Sequence, residues 1–331
     1  MDDLETSSKK LPAFRKPETS GSSQKTFKSL AILFVLVCCV FVVIFWSIGW
    51  IAHEDLSPGD LYARTLDGRA DSKRMASLEW ARRLHLFESR EQNQDKLRLA
   101  PDAAQTKRFS EIIKQAIAGK GTSQEAPDAT YLGGLATVIG FSRFPTSAHQ
   151  ELSEIFVATP VREWVEVQIP VILALTRLQM PLAPNAEAHL LEALGEEDPA
   201  LRKVAVFAVG VLAQSSESRA FFRPKLLEIR SDSVSDVRWN AGFALGRWQD
   251  PEAEPVLKEL LDLASRVRRD ATIEGEGDEV LTESLLLSIE QAFRLIAQRP
   301  AGPLKEKLAV IAHEHPHLKL RQAAISALQL R

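Results

Sequence analysis

The chain has 331 residues, of which 45% are hydrophobic and 26% charged, and its formal net charge is −3. This length allows one large core or a series of small ones. The slight negative charge lacks the basic footprint of a nucleic-acid-binding protein, so no nucleic-acid partner is expected. Both cysteines, Cys38 and Cys39, lie in one apolar run, which excludes a disulfide framework and a cysteine-based metal site or nucleophile elsewhere.

The N-terminal residues predict a tail followed by a membrane span. Residues 1–28 are rich in Ser, Lys and Pro, a composition typical of a disordered segment. Residues 29–52 contain no charged side chain. As a helix, Leu30–Ala52 would be roughly 35 Å long, enough for a hydrocarbon core of roughly 30 Å, and Trp46 and Trp50 suit an interfacial aromatic belt. We predict a transmembrane helix at 29–52 in contact with the lipid bilayer.

A cleaved signal peptide is the alternative for this span. The apolar run is longer than a usual signal-peptide core, and Trp50 would occupy the position three residues before a cut after Ala52. We therefore interpret the span as an uncleaved signal anchor. Lysines precede it and the acidic "HEDLSPGD" follows it, so the positive-inside rule predicts a cytoplasmic tail. Residues 53–67 would form a juxtamembrane linker, and the remainder would be extracytoplasmic, or periplasmic in a bacterial inner membrane.

Internal repeats organise the rest of the chain. The segments 201–212, "LRKVAVFAVGVL", and 237–248, "VRWNAGFALGRW", share an Arg, an Ala, a Phe, an Ala and a Gly in register. Weaker copies begin near residues 73, 167, 285 and 320. An amphipathic second segment follows most copies, as in "EPVLKELLDLA" at 254–264. Each unit is thus predicted to be a helical hairpin, and neighbouring hairpins must stack because one alone cannot bury its apolar stripe.

The unit at 236–261 contains residues suited to helix packing and helix capping. Small residues such as Gly242 and Gly246 would let its first helix approach its neighbours closely. Asp236 is predicted to cap the first helix and Asp250 the second, with Pro251 at the first helical position. Every feature of this unit is explained by packing and helix capping.

The segment "DVRWNAGFALGRWQDPEAEPVLKELL" at 236–261 resembles a HEAT repeat of the short bacterial type, related to the phycobilisome-lyase HEAT-like repeats. The resemblance extends over most of 68–331. It implies an all-α fold: an α-solenoid of about six to seven hairpins at 68–331, preceded here by one transmembrane helix. Such solenoids usually serve as protein-binding scaffolds. In them the Arg of the Arg-x-x-Ala pattern often bonds to an Asp near a neighbouring turn, a role that the resemblance assigns to Arg202 and Arg238.

Several segments depart from the repeat pattern. Residues 161–195 have Gln168 in place of the Arg, and Pro170 lies within the first helix, which predicts a kink or a late helix start. Insertions at 88–105 and 265–283 interrupt the array and are expected to be solvated loops.

The sequence offers one metal-like cluster, His313, Glu314, His315 and His317. Its spacing matches no established zinc motif, and it falls at a turn between two predicted helices. No P-loop, nucleophile elbow or zinc-protease helix is present. We therefore predict a non-catalytic protein with no catalytic, cofactor-binding or metal residues and no cofactor. The alternative is an enzyme or enzyme subunit, bilin-lyase-like or metal-binding, that uses the solenoid to hold a cofactor.

Overall fold

The computed structural model describes residues 56–67, 69–88, 98–119, 128–160, 162–267 and 282–329. The chain divides into two compact units, Met1–Ser57 and Pro58–Arg331, and almost all described residues belong to the second. None of the helices formed by these residues is long and apolar enough to cross a membrane. The predicted tail and span at 1–52 lie outside the described residues and stay predictions.

All regular structure of the described part is helical, as the sequence predicts. Its α-helices, numbered here in chain order, are α1 Pro58–Asp67, α2 Ala70–Glu88, α3 Ala103–Ile117, α4 Ala129–Ile139, α5 Pro145–Ala158, α6 Val165–Leu178, α7 Pro184–Ala193, α8 Pro199–Leu212, α9 Ser216–Ile229, α10 Ser235–Arg247, α11 Glu254–Arg266, α12 Glu283–Gln298, α13 Pro303–Glu314 and α14 Leu318–Gln329.

These helices form the two layers of an α-solenoid. The first-helix layer contains the even-numbered helices α2 to α14, each packed against the next. The second-helix layer contains α3, α5, α7, α9, α11 and α13, with contacts from α3 to α5, α5 to α7, α7 to α9 and α11 to α13. Each hairpin leaves an apolar stripe that only the next hairpin can cover, which accounts for the stacking. Within the described residues, six hairpins and the single helix α14 follow α1, where the sequence predicts about six to seven hairpins.

The packed region begins at Pro58, earlier than the predicted boundary at residue 68. Helix α1 occupies most of the segment that the sequence analysis assigns to a juxtamembrane linker, and it packs against α2. Leu61 is fully buried, and the Tyr62 ring lies 5.8 Å from that of Phe109. The Tyr131 hydroxyl donates to the Thr65 carbonyl at 2.9 Å. Helix α1 thus covers the apolar side of the first hairpin.

Glycines permit close approach between helices, as predicted. A Cβ added to Gly242 would lie 2.5 Å from Val256 Cβ, and one added to Gly210 would lie 3.0 Å from Ala244 Cα. Real Cβ atoms essentially never approach within 3.0 Å, so glycine is needed for α10 to meet α11 at this distance, and the contact of α8 with α10 is tighter than most Cβ contacts.

The predicted cap at Asp236 is wrong, whereas that at Asp250 is confirmed. Helix α10 begins at Ser235, so Val234 occupies the capping position and offers no side-chain acceptor. Asp236 lies within the helix, and its carboxylate accepts a hydrogen bond from Lys203 of the preceding repeat. Asp250 accepts from the Glu252 backbone N–H at 2.9 Å and caps a short 3₁₀ turn that begins at Pro251. The α-helix proper follows that turn.

Pro170 lies inside α6, which begins before it at Val165, so the late start is not observed. Proline cannot donate to the carbonyl one turn earlier, and its ring needs space. Gly133 of α4 provides that space: a Cβ there would lie 3.0 Å from both the Glu166 carbonyl oxygen and Pro170 Cγ. The neighbouring helix therefore accommodates the proline.

The described part of the first insertion includes packed residues, whereas in the described part of the second, at 265–267 and 282–283, every residue but Val267 is exposed. In the first insertion, the Leu99 carbonyl accepts from Trp80 Nε1 at 2.8 Å. Asp102 and Gln105 form a reciprocal capping box, so α3 already begins at Ala103. In the second, Val267 is buried. Residues 89–97 and 268–281 lie outside the described part of the chain.

Candidate interaction surfaces

An arginine bonded to the following turn joins the two central repeats. Arg202 donates to the Asp232 carboxylate at 3.0 and 3.2 Å, and to the carbonyls of Glu196 and Glu197 at 2.8 Å. Asp232 precedes α10 of the next repeat. Burial disfavours its charge, but the hydrogen bond from Arg202 keeps the pKa of Asp232 below its usual value. The role expected for Arg202 is confirmed.

Arg238, the equivalent residue one repeat later, has a different partner. Its Nη2 donates to Glu259 at 2.9 Å and its Nη1 to the Asp232 carbonyl at 2.8 Å. Glu259 also accepts from Trp239 Nε1 at 3.1 Å. The expected bond to an Asp near a neighbouring turn is therefore present, but it is made to the Asp232 backbone carbonyl, and the carboxylate that pairs with the guanidinium comes from Glu259 in α11 of the same hairpin. Both arginines hold the solenoid together.

Gln168, which replaces the Arg in an earlier repeat, forms a neutral network. Its Nε2 donates to the Thr159 carbonyl at 2.7 Å and lies 3.0 Å from His189 Nε2. The His189 ring packs edge-on against Phe156, with centroids 4.7 Å apart. Burial lowers the pKa of His189 despite the nearby Glu192 carboxylate. This junction of α5, α6 and α7 is held without a permanent charge.

Many other charged side chains are used in contacts between adjacent repeats. Lys114 pairs with Glu151 at 2.8 Å, and Lys307 pairs with Asp262 at 2.5 Å. Further pairs join Lys203 to Asp236, Arg223 to Asp250 and Arg230 to Glu252. Exposed pairs of this kind stabilise a protein by less than about 1 kcal/mol each. Their positions at the repeat junctions indicate a structural role.

The histidine cluster is also structural. His315 Nε2 lies 2.9 Å from the Ala264 carbonyl oxygen, and its Nδ1 accepts from the His317 backbone N–H at 3.1 Å. A carbonyl only accepts and a backbone N–H only donates, so both nitrogens of this ring are occupied. His313 and Glu314 are exposed at the end of α13. Within the described residues, no group of three or more His, Cys, Asp or Glu side chains is arranged to hold a metal ion.

The largest pKa shifts arise from contacts within and between helices. The hydrogen bond from Arg82 lowers the pKa of Glu79 to about 2, with Arg83 acting in the same direction. Burial raises the pKa of Tyr131 to about 12. The first is an ion pair along the surface of α2, and the second belongs to the contact between α4 and α1. Both shifts are explained by contacts that stabilise the helices, one within α2 and one between α4 and α1.

An open cleft lies between the N-terminal ends of α7 and α9. Its volume is about 470 Å³, and we name it the α7–α9 cleft. It is lined by Pro181, Leu182, Pro184, Glu187, Ser215, Glu217, Ser218 and Phe221. The lining combines apolar side chains with the carboxylates of Glu187 and Glu217.

Local hydrogen bonds fix the walls of this cleft. The loops before α7 and α9 are joined because Gln214 Nε2 donates to the Gln179 carbonyl at 3.0 Å. Ser215 caps α9 by accepting from the Ser218 N–H at 3.0 Å, and the Ser218 hydroxyl donates to the Glu187 carboxylate. The cleft is therefore preformed by its own contacts.

A second groove lies between α12 and α14. It has a volume of about 400 Å³ and is lined by Leu286, Glu290, Arg294, Lys319, Gln322, Ala323, Ser326 and Ala327. Cations and a carboxylate are mixed along it, so its charge favours no class of partner.

The α7–α9 cleft is not predicted from the sequence, although one pair of adjacent residues points to it. Phe221 and Phe222 are consecutive on a helix, and adjacent side chains point about 100° apart. Both therefore cannot face the core equally. Phe222 is 1% exposed and Phe221 is 44% exposed, and the exposed ring forms part of the cleft.

The comparison with known families agrees with this architecture. Residues 187–275 match the family of HEAT repeats, a segment that runs from α7 to just beyond α11. No curated protein matches the chain. Residues 187–275 are thus similar to HEAT repeats, and the stacked helical hairpins of the described residues are consistent with an α-solenoid.

Proposed function

We propose that the chain is a membrane-anchored, non-catalytic scaffold that assembles protein partners on its solenoid. HEAT repeats commonly mediate protein–protein interaction, and the best support is the preformed α7–α9 cleft on the surface of the HEAT-repeat segment. The charged residues at the repeat junctions are used to join repeats, so partners are expected on the exposed faces between them. We assign the repeats to the short bacterial, phycobilisome-lyase-related type on the motif at 236–261.

The anchor is the apolar segment 29–52. Its support is the uncharged composition of the segment and the lysines that precede it. In this arrangement the tail at 1–28 is cytoplasmic, the anchor contacts the bilayer, and the solenoid is extracytoplasmic, or periplasmic in a bacterial inner membrane.

Reporter fusions test the topology. An alkaline phosphatase fused to the C-terminus should be active, because that enzyme matures only outside the cytoplasm. A cytoplasm-specific fluorescent reporter at the same position should be dark. The reverse pattern would refute the orientation.

Partner recovery tests the scaffold role. The full chain, tagged and purified from its native membranes, should carry at least one protein in a reproducible ratio. Repeated purification of the chain alone would refute the role. Metal and absorbance analysis of the same sample tests the non-catalytic assignment: a stoichiometric metal or chromophore would favour the enzyme alternative.

A further inference from the structure

The apolar side of the α7–α9 cleft is formed by an exposed aromatic ring and by proline and leucine side chains. Phe221 is 44% exposed, and its ring contacts the buried Phe222 ring edge-on at a centroid distance of 5.0 Å. Pro181, Leu182 and Pro184 extend this apolar surface. A ring held by the core and flanked by prolines loses little conformational freedom when a ligand covers it, and this favours binding.

The polar side of the cleft is negatively charged. Glu187 is partly buried with its carboxylate bonded to Ser218, and Glu217 is exposed in the first turn of α9. Bonds from its own backbone N–H and from nearby serines lower the pKa of Glu217, so it stays ionised at neutral pH. Within the described part of the chain, no Lys or Arg forms an ion pair with either carboxylate.

The cationic side chains of α9 bond to groups outside the α7–α9 cleft. Arg219 donates to the Ala213 carbonyl at 3.3 Å, and Arg223 and Lys225 pair with Asp250 and Glu228. The negative charge of the cleft is thus left uncompensated by its own helix.

We infer that the α7–α9 cleft binds an arginine side chain of a partner protein, presented by an extended segment between apolar residues. This inference rests on the proposed scaffold function and names the chemistry of the partner. The aliphatic stem and the guanidinium plane of an arginine can lie over Phe221, while the guanidinium bonds to Glu187 and Glu217. The cleft volume of about 470 Å³ leaves room for the flanking apolar side chains.

The charge of the cleft disfavours anionic ligands, and its shape favours arginine over lysine. A phosphate-rich surface, such as a nucleic acid or an anionic membrane, would be repelled by the two carboxylates. A lysine would satisfy the charge, but its ammonium lacks the planar fork that contacts a carboxylate through two parallel hydrogen bonds and stacks on an aromatic ring.

Peptide titration tests the inference. The probe is a fluorescent peptide with one arginine between two leucines, added to the full chain in detergent micelles and followed by anisotropy. The matched probe has citrulline, which keeps the shape of arginine without its charge. We expect the arginine peptide to bind with a Kd below about 1 mM, and the citrulline peptide to bind roughly tenfold more weakly.

Cleft variants and matched controls identify the site. The double variant Glu187→Gln/Glu217→Gln should abolish the difference between the two peptides, and Phe221→Ala should weaken both roughly tenfold. Glu254→Gln removes an equivalent first-turn carboxylate of α11, and Phe144→Ala removes an aromatic side chain that is 49% exposed. Neither control should change binding.

Three results would overturn the inference: no binding up to about 1 mM, equal affinity for the two peptides, or equal effects of the cleft variants and the controls. Partner recovery with the same variants separates this inference from the scaffold function. A partner that is recovered equally with Phe221→Ala contradicts the cleft assignment and leaves the scaffold intact. Recovery of no partner with the unaltered chain contradicts the scaffold itself.

Discussion

Replacing Gly242 by alanine should destabilise the solenoid, although alanine is the better helix former. The new Cβ would lie 2.5 Å from Val256 Cβ, which belongs to the adjacent helix α11. This atom is attached directly to the backbone and cannot turn aside, and Val256 is 2% exposed. Overpacking costs about 1–3 kcal/mol, and a rigid contact favours the upper part of that range. The gain in helix propensity offsets about 1 kcal/mol.

The expected net loss is therefore about 2 kcal/mol, or a decrease in Tm of roughly 4–8 °C. Thermal unfolding of the purified chain, followed by far-ultraviolet circular dichroism, measures it. The control is Gly195→Ala, because a Cβ there would approach only a carbonyl of its own turn, at 3.4 Å. That variant should unfold within about 0.5 kcal/mol of the unaltered chain.

A double-mutant cycle isolates the contact. Val256→Ala alone should cost about 2 kcal/mol through lost burial and a small cavity. It removes the methyl groups that the new Cβ at position 242 would strike but keeps the Val256 Cβ, 2.5 Å away, so the double variant should lose only slightly less than the two single losses added, with a coupling of about 0.5–1 kcal/mol. Additive losses, or a Gly242→Ala variant as stable as the control, would refute the explanation of this glycine.

The other predictions concern single contacts. Arg202→Ala should cost about 2 kcal/mol because it strands the Asp232 carboxylate, whereas Arg162→Ala, at an exposed pair, should cost under about 0.5 kcal/mol in the same melts. Burial lowers the pKa of His189, so the unfolded chain binds the proton more readily and stability should fall as pH drops below about 6.5; melts of His189→Gln should show a smaller decrease. Tyr131→Phe removes the bond to the α1 backbone and should speed hydrogen exchange in α1, at a cost of about 1 kcal/mol; unchanged exchange would show that the bond does not hold the helix.

The central repeats could be predicted from the sequence because their features are local. Small residues and an Arg recur in register at 201–212 and 237–248, and both segments form first helices of hairpins, α8 and α10. Gly242 fulfils its predicted role because the residue that it contacts, Val256, lies in the second helix of the same hairpin and is therefore close in the sequence.

Features that depend on distant residues were predicted less well. Helix α1 is short, and its burial depends on aromatic rings at Trp80 and Phe109. The Asp236 carboxylate accepts a hydrogen bond from a lysine of the preceding repeat and does not cap its own helix. The α7–α9 cleft is formed by two turns that are separate in sequence, and only the adjacent phenylalanines at 221–222 indicate it. Long-range contacts decide all three.

The mass of the complexes that contain the chain, extracted from its native membrane, tests the central claim most directly. The chain has a mass of 36.8 kDa. Extraction with a membrane-solubilising polymer, followed by native mass spectrometry, measures what is bound to it. The scaffold function predicts complexes with at least one other protein at a fixed ratio. Removing the carboxylates of Glu187 and Glu217, or the ring of Phe221, from the α7–α9 cleft should weaken these complexes. A preparation that contains only the chain and lipid would contradict the account.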